Sequence, residues 1–153
     1  MIRVLLIPSS DYLGHPFPQR YNQLFERIHD GKNFNVHVLR FNLFQKNEFK
    51  SRLAVHEVND LKIKPVAPYY LFNTPIHVAE VCRIIKQESI DILVLSNLAT
   101  PFAYTLLDTI SNMHIPIIFD LPDYLPTSAT GYIINTKSVL GRFLVTSFKM
   151  MLH

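Results

Sequence analysis

Ile115-Pro116-Ile117-Ile118-Phe119-Asp120-Leu121-Pro122-Asp123-Tyr124 is an apolar run that breaks abruptly into acidic residues, a proline and a tyrosine. Two earlier stretches behave in the same way. Val4-Leu5-Leu6-Ile7 gives way to Pro8-Ser9-Ser10-Asp11, and Ile92-Leu93-Val94-Leu95 gives way to Ser96-Asn97. Runs that are apolar throughout, rather than at every second residue, suit strands covered on both faces, as in a parallel sheet. Parallel strands end on one shared edge, and ligands of open α/β sheets bind in the crevice beyond it. The polar residues after each run are therefore expected to gather at one candidate site.

The chain has 153 residues, 48% of them hydrophobic, which is enough for one domain with a sizeable core and excludes general disorder. The net charge of +3 is mildly basic. Basic residues form only small groups (Lys46, Lys50 and Arg52; Lys62 and Lys64), without an arginine-rich block or interleaved aromatics, so no nucleic acid partner is expected. Cys82 is the single cysteine, and the N-terminus enters a strand at once without a signal-peptide pattern. A reducing, cytoplasmic compartment is the expectation. No apolar run reaches the ~18 residues of a membrane span, so membrane association is expected to be peripheral at most.

Strands are expected over residues 2–7, 34–41, 55–58, 90–95 and 115–119, with the stretch around Leu61 to Ile63 competing for the third. Helices are expected over 19–28, 76–87 and 101–111. The clearest is 76–87, where Val78, Val81, Cys82 and Ile85 follow the i, i+3, i+4, i+7 spacing of an amphipathic helix. Asp30-Gly31-Lys32 should stop the first helix. Residues 65–75, rich in proline and aromatics, read as a connection. Strands alternating with helices predict a doubly wound, mostly parallel α/β sheet of Rossmann-like type, in the order 3-2-1-4-5. Residues 1–135 then form one domain, with an irregular loop over 125–135 and an amphipathic helix over 136–153.

Each candidate site has a plainer reading beside it. Gly14, in the loop after the first strand, can present backbone amides to a phosphate, or it is a turn glycine. Arg20 can pair with a phosphate or stand exposed on its helix. Neither a G-x-G-x-x-G turn nor a P-loop occurs, which argues against NAD, FAD and P-loop nucleotides. Asn97 and Thr100 can bind sugar hydroxyls or cap the helix that starts at Pro101. Asp120 and Asp123 can act on hydroxyls or form Asx turns around Pro122. The seven histidines form no local ligand motif, so no zinc site is expected. Cys82 reads as a core thiol. In the last helix Phe143 and other apolar residues span a wide arc, with Arg142 and Lys149 seven apart on one edge. That face suits an anionic membrane surface or a covering protein.

The order of these elements resembles the N-terminal Rossmann-like domain of GT-B glycosyltransferases, particularly the retaining GT4-like group. The resemblance rests on Val4-Leu5-Leu6-Ile7-Pro8 followed by a loop glycine, on Arg20-Tyr21-Asn22-Gln23-Leu24, on Asp91-Ile92-Leu93-Val94-Leu95-Ser96, and on the stretch from Ile115 to Tyr124. It covers nearly the whole chain. It implies that Gly14 lies near the donor diphosphate, and that His15, Arg20, Asn97, Asp123 and Tyr124 lie on the acceptor side. Asp120 stands where many members carry a histidine facing the donor sugar, and Ser96-Asn97 where they commonly carry a histidine after the fourth strand.

The resemblance also implies a nucleotide-sugar donor as substrate, no tightly bound cofactor and no metal. Partners would be an acceptor lipid or glycan, and a C-terminal domain supplying most nucleotide-sugar contacts. The expected function is the acceptor-side half of a sugar transferase, inactive alone. A membrane-recruiting subunit of a two-chain enzyme and a flavodoxin-like nucleotide-binding protein are the rivals.

Overall fold

The computed structural model describes residues 1–8, 11–14, 20–41, 50–63, 66–96 and 101–120. The elements are β1 (Ile2–Ile7), α1 (Arg20–Ile28), β2 (Phe34–Arg40), β3 (Ala54–Glu57), α2 (Val66–Gln87), β4 (Ile92–Leu95), α3 (Pro101–Ile110) with a 3₁₀ turn at Ser111–Met113, and β5 (Ile117–Phe119). The sheet is wholly parallel, in the order β3-β2-β1-β4-β5. This is the doubly wound Rossmann-like α/β fold expected from the apolar runs. The long loop and final helix expected beyond Asp120 lie outside the described residues, as does the domain boundary near residue 135.

Register assigns the two faces of the sheet. Leu5 pairs with both His37 and Leu93, so Leu5, Ile7, Leu39, Leu93 and Leu95 share one face. They pack with Val81, Ile84, Phe102 and Leu106 of α2 and α3. The other face carries Val4, Leu6, Val36, Val38 and Val94, packed with Tyr12 and Leu13 and with the partly buried Phe25 of α1. Asp30 ends α1 as expected. Its Oδ1 accepts the amides of Lys32, Asn33 and Phe34 at 2.8, 2.8 and 3.0 Å. Gly31 makes the reversal at φ +67°, a left-handed conformation that favours glycine.

Of the connection expected over 65–75, the described residues 66–75 are helical instead. From Val66 onward they are the first half of α2, whose helix continues through Pro75. Tyr69, Tyr70, Asn73, Thr74 and His77 are all buried, at the helical spacing i, i+1, i+4, i+5 and i+8. Burial of this face outweighs the amide that Pro75 cannot donate. Two side chains support the segment. Thr74 Oγ1 donates to the Tyr70 carbonyl at 2.7 Å, and Asn73 exchanges hydrogen bonds of 2.7 and 2.9 Å with the Leu61 backbone. That last contact explains why Leu61 to Ile63 is not a strand.

The α2 C-terminus is a Schellman cap. Ile90 N–H donates to the Ile85 carbonyl at 3.1 Å, with Ser89 left-handed at φ 51°. The expectation that the fifth run is covered on both faces also needs correction. Ile118 is 53% and Phe119 46% exposed, and among the described residues β5 ends the sheet, paired to β4. Among the described residues no helix is long and apolar enough to cross a membrane.

Candidate functional site

Because all five strands run the same way, each delivers its last residues to one edge. At that edge, β3 ends in Glu57, β2 in Arg40 and β1 in the loop that carries Asp11, while β4 and β5 lead into Ser96 and Asp120. Arg40 is in phase with Val36 and Val38 and just as buried, so its charge requires partners inside the protein. Its Nε donates to Asp11 Oδ1 at 3.0 Å and its Nη2 to Asp11 Oδ2 at 3.4 Å, while Nη1 donates to Glu57 Oε1 at 2.8 Å. Burial pushes the guanidinium pKa down, and the hydrogen bonds and charges of Asp11 and Glu57 more than reverse it.

Asp11 also organises the loop. Its Oδ1 accepts the amides of Leu13 and Gly14, each at 3.1 Å. The Gly14 amide thus already has a protein acceptor. Tyr12 is fixed from two sides: Asn22 Nδ2 donates to its carbonyl at 3.1 Å, and its phenol donates to Glu26 at 3.2 Å. Burial first, and the Glu26 carboxylate second, push the phenol pKa far above its usual value.

At the other end of the edge, Ser96 Oγ lies 3.4 Å from Asp120 Oδ2. The Ser96 amide donates to Ile7 at 3.0 Å and the Asp120 amide to Leu95 at 3.1 Å, so the backbone fixes both positions. Asp120 also closes one end of an apolar groove of about 450 Å³, lined by Val4, Phe25, Val94 and Ile118 among others. A hydrogen-bonded carboxylate beside an apolar groove can orient the hydroxyls of a bound molecule while aliphatic surface holds the rest.

Of the residues singled out in the sequence, Asp120 and Gly14 therefore stand at the shared edge, and Arg20 opens α1. His15, Asn97, Asp123, Tyr124, Arg142, Phe143 and Lys149 lie outside the described residues. Sequence reasoning missed the Asp11–Arg40–Glu57 network. Its signal was an arginine in phase with buried valines, which demands a carboxylate.

A second buried group was also missed. Tyr69 Oη donates to Asp60 Oδ2, and His77 Nε2 lies 3.3 Å from the same oxygen. Asp60 Oδ1 and His77 Nδ1 have no hydrogen-bond partner among the described residues. Burial lowers the His77 pKa despite the neighbouring carboxylate.

No protein-family model matches this sequence, and no curated protein matches it. Among solved structures, the chain is similar to a UGT transferase from Siraitia grosvenorii in complex with UDP. The match has a TM-score of 0.50 at 17% identity and covers 92% of this chain and 32% of that one. The likeness is one of fold. It agrees with the Rossmann-type α/β arrangement of the sheet, and the chain spans about a third of the length of that transferase.

Proposed function

We propose that this chain is the acceptor-side domain of a glycosyltransferase, which moves a sugar from a nucleotide-sugar donor to a hydroxyl of a lipid or glycan. The observation that carries this reading is the pairing of Ser96 with Asp120 at the carboxyl edge of a parallel sheet whose fold neighbour is a UGT transferase. Asp120 would orient a sugar or acceptor hydroxyl, and Asn97, Asp123 and Tyr124 would serve acceptor binding. His15 and Arg20 would line the acceptor cleft. Gly14 would meet the donor diphosphate by exchanging its Asp11 bond for a phosphate oxygen. Positioning and stabilisation of the leaving phosphate would supply most of the rate.

A C-terminal nucleotide-sugar-binding domain, on the same or a separate chain, completes the enzyme in this reading, so the 153 residues alone would be inactive. Arg142, Phe143 and Lys149 would face an anionic membrane surface. The test is release of nucleoside diphosphate by the complete enzyme in the presence of acceptor. Asp120→Ala should lower kcat about 100-fold, the scale of losing one transition-state hydrogen bond in a dry site. Unchanged turnover would remove Asp120 from the site. Transfer by the isolated chain would end the half-enzyme reading, and saturable FMN or NAD binding would end the assignment altogether.

A further inference from the structure

Away from the carboxyl edge, three side chains distant in sequence meet beneath the end of α2. His37 lies on β2 in register with Leu5, and His56 lies on β3 in register with Leu39, so both face α2. His37 Nδ1 and His56 Nε2 are 2.9 Å apart, and the rings are nearly parallel, 22° between planes. Glu88 follows the last residue of α2, and the Schellman turn at Ser89 and Ile90 fixes its place. One ligand atom from each of the three lies within 4.8 Å of the other two.

We propose that His37, His56 and Glu88 form a binding site for a divalent transition metal, zinc above all. The donor set, two imidazole nitrogens and one carboxylate oxygen, is the one that borderline cations such as Zn²⁺ select. The spacing fits. At metal–nitrogen bonds of ~2.0–2.1 Å, two ligand nitrogens sit about 2.9 Å apart at a right angle and about 3.3 Å apart in a tetrahedron. The observed 2.9 Å is the first value, and a ring shift of about 0.4 Å gives the second.

Without a metal, one of these two nitrogens donates its proton to the other, and a bound cation would take that proton's place. Asn35 Nδ2 stands 3.2 Å from His37 Nε2. With that amide turned over, its oxygen accepts Nε2–H and leaves Nδ1 to the metal, the supporting contact that metal-bound histidines usually have. Among the described residues the Glu88 carboxylate makes no hydrogen bond or ion pair, because the adjacent Arg83 is paired with Glu80. The other charges facing the rings are Arg3, His29 and Glu80, and they do not supply a further ligand to the cluster.

A metal here ties the four-residue edge strand β3 to β2 and to the end of α2. It stands apart from the proposed transfer chemistry: His37 is three residues before Arg40, about 10 Å along the strand. The experiment is titration of the untagged, chelator-stripped chain with Zn²⁺, read by calorimetry and by thermal unfolding, with Co²⁺ absorption reporting the ligand field. One equivalent should bind with a micromolar or tighter Kd and raise Tm. His56→Ala should weaken binding about 100-fold or more, and Glu88→Gln about 10-fold. His114→Ala, outside the cluster, should leave binding unchanged. If His56→Ala does not fold, Glu88→Gln decides alone, since it changes one atom of a partly buried side chain. Binding that survives in the folded variants, or no stoichiometric binding with no change in Tm, overturns the proposal.

Discussion

The two faces of the sheet are finished to different degrees. Towards α2 and α3, Leu5, Leu39, Leu93 and Leu95 are all 0% exposed beneath two helices. Towards α1, Leu6, Val36 and Val38 are as well covered, yet Ile92 is half-buried; β5 is open on both faces, with Ile118 exposed beside the groove and Phe119, in register with Leu95, exposed on the other. The means of closure also differ. At the carboxyl edge the first face is closed by rings: Phe41 packs against Tyr70, His77 and Phe102 at centroid distances of 5.5, 4.8 and 5.7 Å. The second is closed by the Arg40–Asp11 pair. One end is thus held by contact area, which tolerates no void. The other is held by charge, which tolerates no missing partner.

That contrast can be broken at either end. The largest loss should come from Phe41→Ala, about 3–5 kcal/mol by denaturant unfolding, because three rings cannot all move into the space left. Asp11→Ala should cost about 3 kcal/mol by removing one of the carboxylates that neutralise a buried guanidinium, and adding Arg40→Met should restore most of it. If the double variant is no better than the single, charge does not close that end.

Acid should act next, on the ring-closed end. The folded-state pKa of His77 lies below its unfolded value of ~6.5, so the unfolded chain binds more protons. Stability should be complete above pH ~6.5 and fall as pH drops below it; His77→Gln should flatten that slope in Tm measured against pH. The smallest effect belongs to the groove. Ile118→Ala should cost about 0.5–1 kcal/mol, since much of that side chain already meets water. A loss as large as that of Phe41→Ala would show that the two faces are equally closed in solution.

The strand order and nearly every strand could be read from the sequence because a doubly covered parallel strand has no polar face to interrupt its apolar run. The first half of α2 could not. Its prolines and aromatics carry the marks of a loop, and only the burial of Tyr69, Tyr70, Asn73 and His77 against the sheet shows their common face. The edge position of Asp120 followed from the same reading as the strands, since it ends one of them. Arg40 was half-legible: its phase was visible, but its partner Asp11 lies 29 residues away. The His37–His56–Glu88 group was illegible, because its members meet only through the register of β2 with β3 and the turn that ends α2.

The central place of β1 has a consequence during synthesis. Its β4-side partner stretch is far downstream: the Arg3 amide donates to Asp91, 88 residues later. At ~5–20 residues per second, β1 waits roughly 4–18 s for that neighbour to leave the ribosome. During this interval one long side of Val4-Leu5-Leu6-Ile7 has no strand to pair with. A chaperone is therefore most useful between the emergence of β1 and that of β4, whose pairing seals the sheet.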